Sequence, residues 1–262
     1  MNINLSGKAA LVCGSSQGLG LASAIELSLL GAHIILMARN ADSLKEAIQK
    51  LDSSQGQQHD FLVADFSNHL QVEEVINQYI NTGKKIDILV NNTGGPAAGL
   101  AIDANSDDFL KAFHAHLICN QILVKATVNG MKESGYGRII NIISTSVLQP
   151  IAGLGVSNTI RAAVANWSKT LSIELGSFGI TVNNVLPGFM QTVRAEYIVQ
   201  KRATELNMKE EDVLKLMLSK IPVGRAGDPS EFGAAVAFLA SPAGAYINGV
   251  NLPVDGGRTG WL

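Results

Sequence analysis

Cysteine is nearly missing from this chain of 262 residues: only Cys13 and Cys119 occur, far apart and without metal-ligand spacing. That excludes a disulfide framework and a thiolate metal site, and it predicts a reducing cytoplasm as the compartment. An excess of one charge is missing too. Twenty Lys and Arg against 22 Asp and Glu leave a formal net charge of -2, so no phosphate-backbone partner is expected. No uninterrupted apolar run approaches the roughly 20 residues a bilayer span needs, which predicts no membrane partner. Residues 1–8 hold neither a basic stretch nor a continuous apolar one, so no secretory leader is expected. Repeats, low-complexity tracts and linkers are absent as well, and the expectation is one domain over 1–262. What the chain does have is apolar sequence: 47% hydrophobic and 16% charged residues imply a sizeable core and little disorder.

Short apolar runs alternate with longer stretches of helical period. Strands are predicted at 8–13, 33–38, 60–64, 86–91, 138–143, 180–186 and 250–254, each apolar on both faces as a central parallel strand is. Helices are predicted near 18–30, 41–52, 69–81, 106–133, 156–177 and 229–240. The alternation calls for an α/β architecture, a three-layer doubly wound parallel sheet with helices on both faces. Residues 190–220 break the pattern. Lys201-Arg202 and Lys209-Glu210-Glu211-Asp212 belong to one or two amphipathic, solvated helices, either a plain surface hairpin or a helical lid over a cleft.

The first predicted strand, Ala9-Ala10-Leu11-Val12-Cys13, runs into Gly14-Ser15-Ser16-Gln17-Gly18-Leu19-Gly20 and then a helical stretch. Glycines between a strand and a helix allow a tight turn and close approach, and the helix N-terminus favours an anion. A dinucleotide pyrophosphate needs that combination; a bare structural turn is the competing reading. The second strand ends Met37-Ala38-Arg39-Asn40. An acid there would bond a ribose 2′-OH and repel a 2′-phosphate. Ala38 supplies none, whereas Arg39 offers a planar fork to a phosphate, unless it is an ordinary solvated arginine. NADP(H) is therefore expected over NAD(H).

Further motifs close other strands: Ala64-Asp65-Phe66, Asn91-Asn92-Thr93-Gly94-Gly95, Leu186-Pro187-Gly188-Phe189 followed by Thr192, and Leu252-Pro253-Val254-Asp255-Gly256-Gly257. With the G-x-x-x-G-x-G spacing, their order over residues 5–258 resembles the short-chain dehydrogenase/reductase family, and most of all its members labelled 3-oxoacyl-(acyl carrier protein) reductase. The resemblance implies a Rossmann fold. It also implies cofactor contacts at Gly14, Ser15, Ser16, Gln17, Gly18, Leu19, Gly20, Arg39, Asn40, Asp65, Phe66, Asn92, Thr93, Gly94, Pro187, Gly188 and Thr192. A homodimer or homotetramer follows from the same likeness, through the helices near 106–133 and 156–177 and the strand at 250–254.

The family's four catalytic positions are Asn, Ser, Tyr and Lys. Matched residue by residue, they fall on His116, Ser144, Ser157 and Arg161. Only the serine remains. Ser157 and Arg161 share a helix face at i, i+4. An aliphatic hydroxyl cannot stand in for a phenol tuned by a neighbouring cation, and Arg161 can hold a ribose hydroxyl, as the family's Lys does, but shuttles no proton. Three readings stay open. In one, the protein is an oxidoreductase acting on a small carbonyl or hydroxyl substrate, with His116, titrating near ~6.5, as proton donor; Tyr197 is a second candidate donor. In another it binds NADP as a sensor or scaffold. In the last it reduces or isomerises an enone, Ser144 and Arg161 polarising the carbonyl.

Overall fold

Seven strands form one parallel sheet, and the chain passes through it in alternation with helices. They are β1 (Ala9–Cys13), α1 (Gly18–Leu29), β2 (His33–Ala38), α2 (Ala41–Ile48), β3 (Asp60–Val63), α3 (His69–Asn81) and β4 (Ile88–Asn91) in the first half. The second half continues with α4 (Ser106–Phe113), α5 (Cys119–Ser134), β5 (Gly137–Ile142), α6 (Gly155–Leu175), β6 (Ile180–Pro187), α7 (Val193–Leu206), α8 (Glu210–Leu218), α9 (Pro229–Ala240) and β7 (Asn251–Val254). The computed structural model describes residues 1–260, so the last two positions of the expected 1–262 domain lie outside the described residues.

The strand order is β3-β2-β1-β4-β5-β6-β7. The order reverses between β1 and β4, where Val12 lies beside Val90. In open α/β sheets the crevice beyond the strands' carboxyl ends at such a reversal collects ligands. One apolar layer joins the sheet to α1, α2 and α9 through Leu27, Leu44, Phe232 and Val236. The opposite layer joins it to α3 and α5 through Val72, Ile76, Leu123 and Met131. Both faces of β1, β2, β4, β5 and β6 are buried, as expected.

Three departures have physical causes. The helix expected over 41–52 ends at Ile48, and single turns at Lys50 and Leu51 carry the chain out of it. The helix expected over 106–133 is broken by a π-helical turn, His114–Ile118, between α4 and α5. The extra residue only slips the apolar register by one position within a long run, which does not mark the end of a helix in the sequence. β7 is not apolar on both faces: Asn251 and Pro253 are exposed, because β7 is the outer edge of the sheet.

Local chemistry sets the helix starts. Asn40 and Asn68 accept from Ser43 N–H and Gln71 N–H to cap α2 and α3. Capping boxes open α4 (Asn105 with Asp108) and α9 (Asp228 with Glu231), and Thr192 caps α7. Segment 190–220 folds into α7 and α8 with a small core of its own, Val199, Ala203, Val213 and Met217.

Candidate functional site

The glycine loop after β1 is held from two sides. The Ser15 hydroxyl, fully buried, accepts from the Met37 N–H of β2 at 3.0 Å. From the other side Asn92 Nδ2 donates to the carbonyls of Cys13 (3.3 Å) and Gly14 (3.2 Å). Gly14 and Gly18 both have positive φ, at 56° and 59°, a region a side chain enters only at a cost. A Cβ on Gly14 would lie 2.7 Å from Asn92 Nδ2, and one on Gly20 would run into the Gly14 carbonyl. At Gly18 the nearest atom to such a Cβ is a Thr192 methyl at 4.0 Å, so this position opens into the cleft.

Gln17, at the start of α1, makes no side-chain cap, and the first turn of α1 contains no acid. The leading N–H groups of α1 are left for a ligand, and the helix dipole adds partial positive charge. Ser15, by contrast, turns its side chain into the protein, so its part is to pin the loop to β2. Ser16, Gln17 and Leu19 complete the loop, with Leu19 packed on the core.

Beyond β2, Arg39 and Asn40 are exposed; the Asn40 side-chain oxygen is committed to capping α2. Asp65, after β3, accepts from Ser67 N–H at 2.9 Å. That bond and the charge of Arg39 hold its carboxyl below the usual range. Phe66 is buried beside it. Gly94 stands in open space after Asn92 and Thr93. Pro187 ends β6, Gly188 passes hard against Asp255, and Thr192 follows. The cofactor positions named from sequence thus gather at the carboxyl ends of β1, β2, β3, β4 and β6.

Two of the four catalytic positions, His116 and Arg161, line one small cavity of about 10 Å³ with Asn92, Thr93, Asn120 and Ile142, while Ser144 and Ser157 lie outside its lining. His116 lies in the π-helical turn and is 3% exposed. Burial, then the charges of Arg161 and Arg194, pushes its pKa down to about 2. The expectation of titration near 6.5 is therefore corrected: burial beside two guanidiniums keeps the imidazole neutral near pH 7, with one N–H left to donate a hydrogen bond and no second proton to give as an acid. Arg161 Nη1 donates to the Ile142 carbonyl at 2.9 Å, while its Nε has no partner. Its pKa falls to about 10 through burial and the nearby Arg194, and it remains charged.

Ser157 is buried one turn before Arg161 on α6. Ser144 follows β5, and its Oγ accepts from Ser146 N–H at 3.0 Å. No hydrogen bond joins Ser144, Ser157 and His116 directly among the described residues. Tyr197, on α7, is 63% exposed.

Two features were not read from sequence. One is a file of asparagines across four neighbouring strands. Asn91 donates to Asn141 at 2.9 Å, Asn141 to Asn184 at 3.0 Å, and Asn184 to Asn251 at 2.8 Å. They are register partners in β4 to β7, and the Asn91 oxygen at the head of the file is unpaired beside the cavity. Asparagine within otherwise apolar strands was the available signal. The other is Arg194, two residues past Thr192, whose position only the folded chain reveals.

Comparison with known proteins places this arrangement among reductases. A family model described as enoyl-(acyl carrier protein) reductase matches residues 14–259. The chain is 35% identical over 255 residues to the 3-oxoacyl-[acyl-carrier-protein] reductase of Rickettsia felis, covering 97% of this chain and 98% of that protein. It is 29% identical over 254 residues to an NADPH-dependent reductase of Bacillus subtilis, covering 97% and 98%. The crystal structure of L-sorbose reductase from Gluconobacter frateurii, complexed with NADPH and L-sorbose, superposes with a TM-score of 0.93 at 30% identity and covers both chains fully.

Proposed function

The chain belongs to the short-chain dehydrogenase/reductase family, and on that footing we propose that it is an NADP(H)-dependent oxidoreductase acting on a small carbonyl or hydroxyl substrate. The observation that carries the reading is the uncapped start of α1 behind the Gly14–Gly20 loop, at the reversal of strand order. An anion there finds free N–H groups, a positive helix end and backbone at close range.

The Gly14, Gly18 and Gly20 backbone would hold the pyrophosphate. Arg39 would meet the 2′-phosphate, Asp65 and Phe66 the adenine, and Asn92, Thr93, Gly94, Pro187, Gly188 and Thr192 the nicotinamide end. When bound, the nicotinamide supplies or accepts the hydride. Ser144 polarises the substrate oxygen by hydrogen bonding. Arg161, in the place of the family's lysine, contributes fixed positive charge and holds a ribose hydroxyl. Ser157 takes the place of its tyrosine and, as an alcohol, donates a hydrogen bond without becoming the acid. His116 is a neutral positioning group, and the proton comes from solvent.

That last point favours one variant of the reading. Reduction of a conjugated double bond needs the oxygen polarised but asks for no strong acid beside it, and both Ser144 and Arg161 suit this. The matched model's own description as an enoyl reductase is in keeping.

Titration with NADPH and with NADH, followed by nicotinamide fluorescence, tests the proposal. NADPH should bind more tightly, and Arg39→Ala should cost about ten-fold in NADPH affinity while leaving NADH unchanged, as for the loss of a charge-assisted bond. Failure of both nucleotides to bind would overturn the reading. Tight NADPH binding with no oxidation across ketones, aldehydes and enones would move it to a sensor or scaffold.

A further inference from the structure

We propose that Arg194 recognises an anionic oxygen group, a carboxylate or a phosphate, carried by the substrate, with the fixed charge of buried Arg161 behind it. The inference rests on the reductase reading for what the ligand is, though the anion site has its own grounds.

Arg194 lies in the first turn of α7, where a cation opposes the helix dipole and so does nothing for the helix. Its guanidinium lies across Gly95. A Cβ on that glycine would sit 2.9 Å from one terminal nitrogen and 3.1 Å from the other, so the fork faces the loop between β4 and α4. Two residues back along that loop, Thr93 lines the cavity that Arg161 and His116 also line. Arg161 is 9% exposed and lines that cavity, and its Nε has no hydrogen-bond partner.

Neither guanidinium has a counter-charge. The six ion pairs found among the described residues involve other side chains, and Arg194 makes no hydrogen bond among those residues. The charge of Arg194 nevertheless reaches both Arg161 and His116. Two cations converging without an acid repel each other, and that repulsion is removed when an anion enters. A planar fork fits a carboxylate or phosphate through two parallel N–H···O bonds. The pyrophosphate proposed at α1 would lie by Gly18 and Thr192, whereas the Arg194 guanidinium, two residues on, is turned to Gly95.

Two pairs of ketones that differ only in charge provide the test. In 5-keto-D-gluconate a carboxylate replaces one terminal hydroxymethyl of L-sorbose. In dihydroxyacetone phosphate a phosphate is added to dihydroxyacetone. Each is titrated against NADPH-saturated protein, following nicotinamide fluorescence and melting temperature. The charged member of at least one pair should bind about ten-fold more tightly, as two charge-assisted bonds would give. Which pair responds distinguishes carboxylate from phosphate.

In Arg194→Gln that advantage should fall to about two-fold or less, with NADPH affinity kept. Gly95→Ala, which pushes the guanidinium aside without removing its charge, should reduce the advantage as well. No advantage in either pair, or an advantage that survives Arg194→Gln, overturns the inference. Loss of NADPH affinity in Arg194→Gln by the same factor also overturns it, by assigning the guanidinium to the cofactor. If the wild type binds neither nucleotide, the reductase reading fails, while the same pairs titrated against cofactor-free protein still decide the anion site.

Discussion

A buried histidine between two arginines makes a titration that stability measurements can follow. His116 has its pKa pushed down to about 2 in the folded chain, against about 6.5 unfolded. Below pH 6.5 the unfolded chain binds a proton that the folded one refuses, so stability falls as the pH is lowered. The loss should approach about 1.4 kcal/mol per pH unit. Urea midpoints between pH 7 and 5 should thus fall more steeply for the wild type than for His116→Gln; equal slopes would show the ring to be solvated.

The asparagine file predicts graded costs. Asn141→Ala removes the partner of both Asn91 and Asn184 in a fully buried setting, and should cost about 2–5 kcal/mol from two orphaned groups. Asn251→Ala at the exposed end, where water replaces the lost partner, should cost less than about 1 kcal/mol.

Residue identities alone put the proposed cofactor positions at the carboxyl ends of strands, because glycines at a strand–helix junction mark where the chain turns. Protonation was beyond them. The ~6.5 assigned to His116 is the value of a solvated ring, and only the packing shows Arg161 and Arg194 beside it. In sequence Arg194 is one more arginine in an amphipathic helix; the fold sets its guanidinium against Gly95.

Among the elements, the strands and most helices were legible, since burial on both faces writes a continuous apolar run and a stop in period. Boundaries slipped where local turns decide, as after Ile48. The π-helical turn hid because it only slips the apolar register by one position within a long run. The hairpin of α7 and α8 has its own separate core, and its turn at Asn207 is left-handed, with φ at 50°. As a proposed lid it should open independently of the sheet. Hydrogen exchange should be faster in α7 and α8 than in β4 and β5, and NADPH should slow it in α7 above all, through Thr192. Equal protection in hairpin and sheet, unchanged by NADPH, would leave the segment a plain surface hairpin.

At the scale of the whole molecule, β7 is an edge strand with an exposed face. Beside it the 246–249 loop packs on α6, where Asn248 donates to the Ser172 carbonyl. Ile173 and Tyr246 are exposed there, at 75% and fully. Such an edge with apolar neighbours suits a second copy of the chain, in keeping with the homodimer or homotetramer that the family likeness implies. Sedimentation should give a mass of two or four chains, and Ile173→Glu with Tyr246→Glu should lower it. A wild type that sediments as one chain would rule this out. No helix among the described residues is long and apolar enough to cross a membrane.

The file of amides across β4 to β7 also bears on how such a chain changes over generations. Asn141 and Asn184 each answer to two neighbours in the file, so replacing either passes through a state with buried orphans. Asn141 and Asn184 therefore form a block that resists single changes, and Asn92 plays the same part for the glycine loop that it ties down. Ser157 and Arg161 belong to no such block, because no side chain in the sheet depends on them for a bond. Ser157 gives the sheet no bond and Arg161 only one, to the Ile142 carbonyl, so a change at either position disturbs the scaffold less than one inside the file.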